Sequence, residues 1–300
     1  MRVLLSGAGG FIGSALAEAL RSRGDVVVPV TRHPGGPGEV GFDLRAGRLD
    51  TSRLPGGTLE GVDASVHLAG APIIGRWTTR RQEEIRSSRI ALGDLIARSL
   101  ATLERRPAVH VTGSAIGIYG DRGEELLDES SETGTGFLAD VCRAWEAAAE
   151  PAAAAGVRTV AVRTGIVIGR GGALGPQLPL FKLGLGGRLG SGRQWVSWIS
   201  LRDEVGAILH ALADGELTGA VNATSPNPVR NGEFTAALAR ALRRPAVLAV
   251  PAGALKLALG AGPAEEMLLA SQRVRPSRLL ERDYRFAEPT LEEALATALG

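Results

Sequence analysis

The sequence predicts an α/β fold: a doubly wound parallel sheet with a smaller, mostly helical lobe at the C-terminal end. Through about residue 170, short apolar strand patterns alternate with helical patterns of 3.6-residue spacing. The strand patterns are nearly continuous runs of Val, Leu and Ile, which is typical of parallel strands covered on both faces. After Gly169 the alternation stops. We therefore divide the chain into residues 1–170 and a lobe of residues 171–300 that is not a fully independent domain.

The elements can be placed from these patterns. The predicted strands are Arg2–Ser6, Val26–Val30, Ala64–Leu68, Ala108–Ser114, Arg158–Arg163 and Ala220–Ala223. The first predicted helix has its apolar face from Phe11 to Leu20. The other predicted helices run from about Arg80 to Leu103, Leu138 to Ala149, Leu201 to Ala213 and Asn231 to Leu242. Gly24 is expected to cap the end of the first helix.

The composition is that of a soluble globular protein, with 44% hydrophobic and 22% charged residues among 300. Lys and Arg number 34 against 32 for Asp and Glu, so no nucleic-acid partner is indicated. The single cysteine, Cys142, excludes a disulfide within the chain. No apolar run approaches the ~18 residues that span a bilayer, and a strand pattern from residue 2 leaves no room for a signal peptide. We expect a cytoplasmic protein with no membrane partner and no metal; its oligomeric state stays open.

The stretch "SGAGGFIG" at residues 6–13 places Gly7, Gly10 and Gly13 in a G-x-x-G-x-x-G pattern. It follows the first strand and opens an amphipathic helix, which is the context of a dinucleotide-binding loop in a Rossmann-type fold. The glycines allow the backbone to approach a pyrophosphate, and the first helical residues, Phe11 and Ile12, supply free N–H groups. The alternative is a tight turn without a ligand.

The end of the second strand indicates which dinucleotide binds. An NAD site usually places a carboxylate there for the ribose hydroxyls, but this strand ends in Thr31, Arg32 and His33. A guanidinium suits the 2′-phosphate of NADP(H), so we predict that cofactor; the alternative is a solvated surface arginine. Asp43, followed by Leu44 in "GFDL", is expected either to contact the adenine or to cap its own loop.

Several longer motifs resemble the extended and atypical short-chain dehydrogenase/reductase superfamily. They are "GAGGFIG", "HLAGAPI" (67–73), "RSSRI" (86–90), "SAIGIYGDRGEE" (114–125) and "CRAWE" (142–146). Residues 163–200 and 219–234 are more specific, and are similar to an NAD-dependent epimerase-like subfamily, the epimerase family proteins, some of whose bacterial relatives carry a cell-division-inhibitor label. The resemblance implies a Rossmann-type fold that binds NADP(H). It also implies that Leu68, Ala69 and Gly70 form the loop that passes the cofactor.

The superfamily's usual catalytic set is a serine with a Tyr-x-x-x-Lys motif, and this chain lacks the motif. No lysine occurs before Lys182, and matching Glu146 to the acid that often follows the motif puts Leu138 and Cys142 in the tyrosine and lysine places. Ser114, at a strand end, remains as a catalytic candidate, with strand-end capping as the equal alternative. Tyr119 is a second candidate, although we favour the alternative that its side chain packs where the sheet domain meets the C-terminal lobe.

The segment from Gly184 to Trp195 is the expected substrate loop because it is long and rich in glycine. Arg188 and Arg193 could bind an anionic substrate, and Trp195 and Trp198 could form an apolar wall. The alternative is a connecting loop whose tryptophans pack into the small lobe.

These patterns and the resemblance together favour an NADP(H)-binding oxidoreductase, or an epimerase that works through transient oxidation, on a small-molecule substrate that the sequence does not identify. The competing hypothesis is a non-catalytic NADP(H) sensor, since the tyrosine and lysine are missing.

Overall fold

The computed structural model describes all 300 residues and contains the alternating strands and helices that the sequence predicts. In chain order the strands are β1 (Arg2–Ser6), β2 (Val26–Thr31), β3 (Val40–Asp43), β4 (Arg48–Asp50), β5 (Ala64–His67), β6 (Val109–Ala115), β7 (Leu126–Leu127), β8 (Arg158–Thr164), β9 (Ile166–Ile168), β10 (Gly187–Leu189), β11 (Trp195–Val196), β12 (Trp198–Ser200), β13 (Gly219–Ala223), β14 (Val229–Arg230), β15 (Leu248–Val250) and β16 (Arg273–Val274). The helices are α1 (Phe11–Ser22), α2 (Thr79–Ala101), α3 (Phe137–Ala147), α4 (Glu150–Ala154), α5 (Leu178–Lys182), α6 (Leu201–Ala213), α7 (Asn231–Leu242), α8 (Ala252–Leu259), α9 (Ala261–Pro263), α10 (Ser277–Glu281) and α11 (Leu291–Leu299). Pro55–Gly57 and Ile116–Tyr119 are 3₁₀ turns, and Ala264–Leu269 is a π-helix.

Eight strands form one sheet in the order β13-β8-β6-β5-β1-β2-β3-β4. All neighbours are parallel except β3 and β4, which pair antiparallel at one edge. Side chains of β1 alternate between two cores: Val3 and Leu5 pack in the cluster with α1 and α6, whereas Leu4 packs in the cluster with α2. Because both faces are covered, the predicted doubly wound, Rossmann-type fold is confirmed.

The helix boundaries agree with the sequence pattern to within a few residues, with one break. The helix predicted from Leu138 to Ala149 ends at Ala147, and Glu150–Ala154 forms a separate short helix. Pro151 stands in the first turn of that helix, where a proline is tolerated because its missing N–H has no helical partner there. Gly24 directly follows the last turn of α1 with φ of 81°, which is the conformation expected of a helix-ending glycine.

The sheet crosses the predicted division at residue 170. Strand β13 pairs with β8 in parallel, and α6 packs on the same face of the sheet as α1. The rest of the C-terminal part has its own apolar cluster, which includes Phe181, Trp198, Phe234 and Leu295. This part is thus a lobe attached to the sheet layer, with short two-stranded pairings as well as helices.

Residues 264–275 return from the lobe to the sheet domain. Strand β16 pairs with β7, and the Gln272 side-chain amide donates to the carbonyls of Ile116 and Gly120. None of the helices combines the length and apolarity needed to cross a membrane.

Candidate cofactor and active site

The glycine-rich loop is closed so tightly that side chains are excluded at two positions. Gly7 has φ of 82°, and a Cβ there would lie 2.8 Å from the Ala69 nitrogen. A Cβ on Gly13 would overlap the carbonyl oxygen of Gly7. Gly10 donates its N–H to that same carbonyl at 2.9 Å and forms the N-cap of α1. The loop therefore leads directly into the helix N-terminus, as a pyrophosphate cradle requires.

The first turn of α1 offers backbone N–H groups and no competing charge. It contains no acidic residue, and the amides of Phe11 and Ile12 precede the first position that can bond within the helix. The ring of Phe11 lies against Gly169, Gly171 and Gly172, where an added Cβ would come within 2.5–2.7 Å of it. Phe11 is therefore placed to contribute its amide, with its ring packed into the neighbouring loop.

Arg32 is exposed just beyond the end of β2, and its guanidinium makes no hydrogen bond or ion pair within the protein. No carboxylate is bonded to it. On either side of Arg32, the hydroxyl of Thr31 accepts from the backbone amide of His33 at 3.4 Å. The residues at this strand end are therefore compatible with the 2′-phosphate of NADP(H).

Asp43 caps its own turn. Its Oδ1 accepts from the amides of Ala46 and Arg45 at 3.0 and 2.9 Å, and these bonds lower the pKa of the carboxyl group. Leu44 beside it is 40% exposed. The loop-cap alternative is thus present in the structure, whereas an adenine contact of Asp43 and Leu44 stays a prediction.

The loop of Leu68, Ala69 and Gly70 leaves the end of β5 directly beside the glycine-rich loop. The Leu68 amide donates to the Ser6 carbonyl at 3.1 Å, which continues the sheet register into the loop. A Cβ on Gly70 would come 2.7 Å from the guanidinium carbon of Arg89, whose Nη1 donates to the Ala71 carbonyl at 3.0 Å. The motif "RSSRI" on α2 therefore shapes this loop, a role that the sequence did not reveal.

Ser114 lies near the end of β6 and is 4% exposed. Its hydroxyl donates to Glu146 Oε1 at 2.6 Å. Arg163 donates to both oxygens of the same carboxylate, from Nε at 2.9 Å and from Nη2 at 3.0 Å. Glu146 and Arg163 were missed as site residues. Their signal was a charged pair in "CRAWE" and "VRTG" at positions that are otherwise apolar.

Tyr119 lies inside the fold, as the packing alternative expects, and a catalytic role for it stays a prediction. Its side chain is fully buried, its hydroxyl accepts from Arg163 Nη1 at 3.0 Å and donates to Asn222 Oδ1 at 2.8 Å. Burial raises the pKa of the phenol. The structure therefore shows the packing alternative: Tyr119 follows β6 and bonds Arg163 on β8 and Asn222 on β13.

The two tryptophans of the predicted substrate wall differ. Trp198 is fully buried in the core of the lobe, and its indole N–H donates to the Asn227 carbonyl at 3.0 Å. This is the packing alternative, and a place for Trp198 in a substrate wall stays a prediction. Trp195 is partly exposed, and the guanidiniums of Arg230 and Arg273 lie 4.0 and 4.6 Å from its ring centroid. This indole is therefore already engaged by two cations of the protein.

The remaining loop residues leave their charges free. Arg188 on β10 and Arg193 are exposed, and neither guanidinium has a bonding partner in the protein. Gln194 holds this loop in place: its side-chain amide donates to the carbonyl of Leu189 in the loop and to that of Leu268 in the π-helix, both at 3.1 Å. A role of Arg188 and Arg193 in substrate binding stays a prediction.

The comparisons with known proteins identify the family. A sequence model of the NAD dependent epimerase/dehydratase family matches residues 3–223. This protein belongs to that family. A domain of unknown function (DUF1731) matches residues 250–298, which include the segment that returns to the sheet domain. The resemblance predicted from the motifs is therefore confirmed.

Two curated relatives in the family extend over nearly the whole chain. An epimerase family protein of Mycobacterium tuberculosis is 42% identical over 299 residues, covering 99% of this chain and 97% of its own. Human epimerase family protein SDR39U1 is 37% identical over 300 residues, covering 98% of each chain.

Solved structures of family members match this fold. Human SDR39U1 (isoform 2), solved with NADPH, has a TM-score of 0.89 at 34% identity and covers 99% of both chains. A nucleoside-diphosphate sugar epimerase from Corynebacterium glutamicum has a TM-score of 0.81 at 33% identity, over the whole of this chain and 58% of that chain. UDP-glucose 4-epimerase of Thermus thermophilus, at 19% identity and a TM-score of 0.74, shows the shared fold alone.

If Glu146 is matched to the acid that often follows the superfamily's motif, Leu138 and Cys142 take the places of the catalytic pair. Cys142 is buried beside Tyr119, and burial raises the pKa of its thiol to about 11, so it stays neutral. The amides of Phe137 and Leu138 donate to Glu266 of the returning segment, at 3.1 and 2.8 Å. The N-terminus of α3 is thus already capped by a carboxylate of the C-terminal lobe.

Proposed function

We propose that this protein is an NADP(H)-dependent oxidoreductase, or an epimerase acting through transient oxidation, for a small-molecule alcohol or carbonyl compound. The observation that carries the proposal is the Ser114–Glu146–Arg163 arrangement at the carboxyl end of a parallel strand, on the side of the sheet where the glycine-rich loop lies. Ligands of such sheets bind at this edge. The family match and the NADPH-bound human relative support the cofactor class.

The residues present fit NADP(H). The loop of Gly7, Gly10 and Gly13 excludes side chains at the place of the pyrophosphate, and the amides of Phe11 and Ile12 follow it. Arg32 would bind the 2′-phosphate, and Leu68 to Gly70 would line the path toward the nicotinamide. When bound, the cofactor supplies or accepts the hydride.

Ser114 and Glu146 supply the proton path in place of the missing tyrosine and lysine. Ser114 donates its proton to Glu146, so its oxygen lone pairs are left to accept from a substrate hydroxyl. As an alcohol is oxidised, its O–H proton passes to Ser114 Oγ while the serine proton passes to Glu146 Oε1, and the carbinol C–H electron pair leaves as hydride. Reduction of a carbonyl runs the same transfers backwards. Arg163 fixes the carboxylate by two hydrogen bonds and thereby positions the serine.

The test is a search for turnover followed by a serine substitution. The purified protein is screened for NADPH oxidation against a panel of aldehydes, ketones and keto acids. With a substrate in hand, Ser114→Ala should lower kcat about ten-fold or more, and Ser114→Thr should restore most of it. The fold should tolerate the change because Glu146 keeps both bonds from Arg163. Unchanged kcat in Ser114→Ala would remove Ser114 from the mechanism.

A second candidate function is a non-catalytic NADP(H) sensor. The observation that favours it is the burial of the neutral Cys142 thiol and the presence of Leu138 where the catalytic pair is expected. The same screen separates the two: tight NADPH binding without oxidation against any member of the panel supports the sensor.

A further inference from the structure

One surface of the C-terminal lobe exposes an unusual share of the chain's large apolar side chains. Eleven such side chains are exposed in the whole protein, and six of them fall within residues 180–185 and 247–257. They are Leu180, Leu183, Leu185, Val247, Leu248 and Leu257. Three are mostly in solvent: Leu183 is 73% exposed, Val247 86% and Leu257 79%. Single exposed hydrophobics need no explanation, but a concentration of them does.

The two segments lie side by side. Strand β10 pairs in parallel with β15, with Gly187 opposite Leu248. A Cβ on Gly184 would lie 3.5 Å from Pro245 Cγ. Helix α8 follows β15 directly and buries none of its eight residues, although Lys256 is the only polar one. Residues 180–187 and 245–248 therefore lie next to each other, and α8 continues from them to pack on α9 and on the π-helix.

The same surface carries cations without partners. Lys182, Arg243 and Arg244 are exposed, and their side chains make no hydrogen bond or ion pair in the protein. Lys256 is paired with Glu265 at 2.5 Å. No Asp or Glu occurs in residues 151–202 or 234–264, so the two segments themselves contain no carboxylate. We call the five apolar side chains within residues 180–185 and 247–248, together with Lys182, Arg243 and Arg244, the basic apolar face.

We propose that the basic apolar face docks this protein reversibly on an anionic lipid surface. Cations that surround exposed Leu and Val side chains match a bilayer interface, where anionic headgroups meet the cations and the apolar side chains enter the acyl boundary. The sequence prediction of no membrane partner rested on the lack of a spanning segment, and peripheral docking needs none. The proposal does not depend on the proposed enzymatic function.

The combination of positive charge and exposed apolar side chains favours a lipid surface over a second copy of this chain or a nucleic acid. A two-fold dimer through this face would bring two surfaces of the same positive charge together, with no carboxylate of the face to offset it. Nucleic-acid phosphates would satisfy the cations, but they would leave the exposed Leu and Val side chains in water. An anionic interface with an apolar layer beneath it satisfies both the cations and the apolar side chains of the face.

The experiment is vesicle cosedimentation of the full chain with phosphatidylcholine alone and with phosphatidylcholine containing phosphatidylglycerol. We expect binding to the anionic vesicles only, weakened by salt. Lys182→Gln/Arg244→Gln should weaken partitioning about twenty-five-fold, at about five-fold per cation. Leu183→Ser/Val247→Ser should also weaken it, because apolar burial is lost. The matched control is Arg21→Gln/Arg53→Gln, which removes two exposed, unpaired arginines of the sheet domain and should change partitioning less than two-fold.

Several outcomes would overturn the proposal. They are absence of binding to anionic vesicles, equal binding to neutral ones, or an equal loss in the Arg21/Arg53 control. Concentration-dependent dimers in analytical ultracentrifugation, abolished by Leu183→Ser/Val247→Ser while vesicles are not bound, would assign the face to a second copy. Tighter binding to a DNA duplex than to vesicles would assign it to nucleic acid. Unchanged NADPH binding in each variant shows that the fold is intact.

Discussion

At the scale of single residues, a few side chains decide the chemistry, and their neighbours decide which ones are available. Ser114 and Tyr119 are five residues apart, yet both are tied to the same Glu146–Arg163 pair, one at each end. The serine hydroxyl faces the strand end, whereas the tyrosine hydroxyl is used by Arg163 and Asn222. The two catalytic candidates of the sequence thus differ in their hydrogen-bond partners, which leave the Ser114 hydroxyl able to accept another bond.

Arg32 should set the cofactor preference. A guanidinium–phosphate contact is worth about 1.5–3 kcal/mol, so NADPH should bind about ten- to a hundred-fold more tightly than NADH. Arg32→Ala should remove most of that gap by weakening NADPH alone. Calorimetric titration of both cofactors measures it, with Arg53→Ala as a control because Arg53 is equally exposed and unpaired. Wild-type protein that binds the two cofactors equally would show the assignment of Arg32 to be mistaken.

At the scale of elements, the glycine-rich loop and α1 act as one unit whose positions are not equivalent. A Cβ on Gly10 would lie 3.2 Å from the Gly7 carbonyl oxygen, whereas one on Gly9 would meet nothing within 4 Å. Gly10 also caps the helix beside the expected pyrophosphate. Gly9 and Gly10 are adjacent and chemically identical. The sequence pattern includes only Gly10, and the structure gives the physical reason for the difference.

Gly10→Val should therefore abolish NADPH binding, because a branched side chain blocks approach to the pyrophosphate. Gly9→Val is the matched control and should bind NADPH within a few-fold of wild type. Fluorescence titration measures the affinity, and circular dichroism checks that each variant is folded. A folded Gly10→Val protein with wild-type affinity would contradict the cradle.

The elements that the sequence predicted well are those with strong local signals. Continuous Val and Leu runs placed β1 and β6, and the helical stripe of α7 gave its bounds of Asn231–Leu242. Contacts over long sequence distances were not predictable. Nothing local to Glu266 shows that it caps α3, 128 residues away, or that Trp198 is buried under α7 and α11. Side-chain partners at such separations depend on how the lobe folds back on the sheet.

At the scale of the whole molecule, the attachment of the lobe to the sheet buries an acidic pair in the first turn of α6. Asp203 is satisfied by the Ser200 hydroxyl and by the amides of Ala287 and Glu288. Glu204 has only the Thr164 hydroxyl, at 2.7 Å, and its Oε2 has no partner. Both side chains are buried. A buried carboxyl group with one hydrogen bond is stable only when it is protonated.

Glu204 should therefore make stability fall as pH rises. Burial raises the pKa of its carboxyl group to about 8 from 4.5, so the native state holds a proton that the unfolded chain releases between those values. The loss of folding stability caused by Glu204 is absent below pH ~4.5, grows between pH ~4.5 and pH ~8 and is complete above pH ~8. Glu204→Gln keeps an acceptor for Thr164 and carries no charge. Its free energy of unfolding should match that of wild type near pH 4.5 and exceed it by about 2–5 kcal/mol at pH 8.

Urea denaturation of both proteins across this range measures that difference. Glu292→Gln is the matched control, because Glu292 is a solvent-exposed acid on α11 whose loss should give a small, nearly pH-independent change. The difference between Glu204→Gln and wild type isolates Glu204 from the other titrating groups, which both proteins share. A difference that is constant with pH would mean that Glu204 is ionised in the native protein. In that case a compensating cation or water would have to reach the buried Oε2 of Glu204.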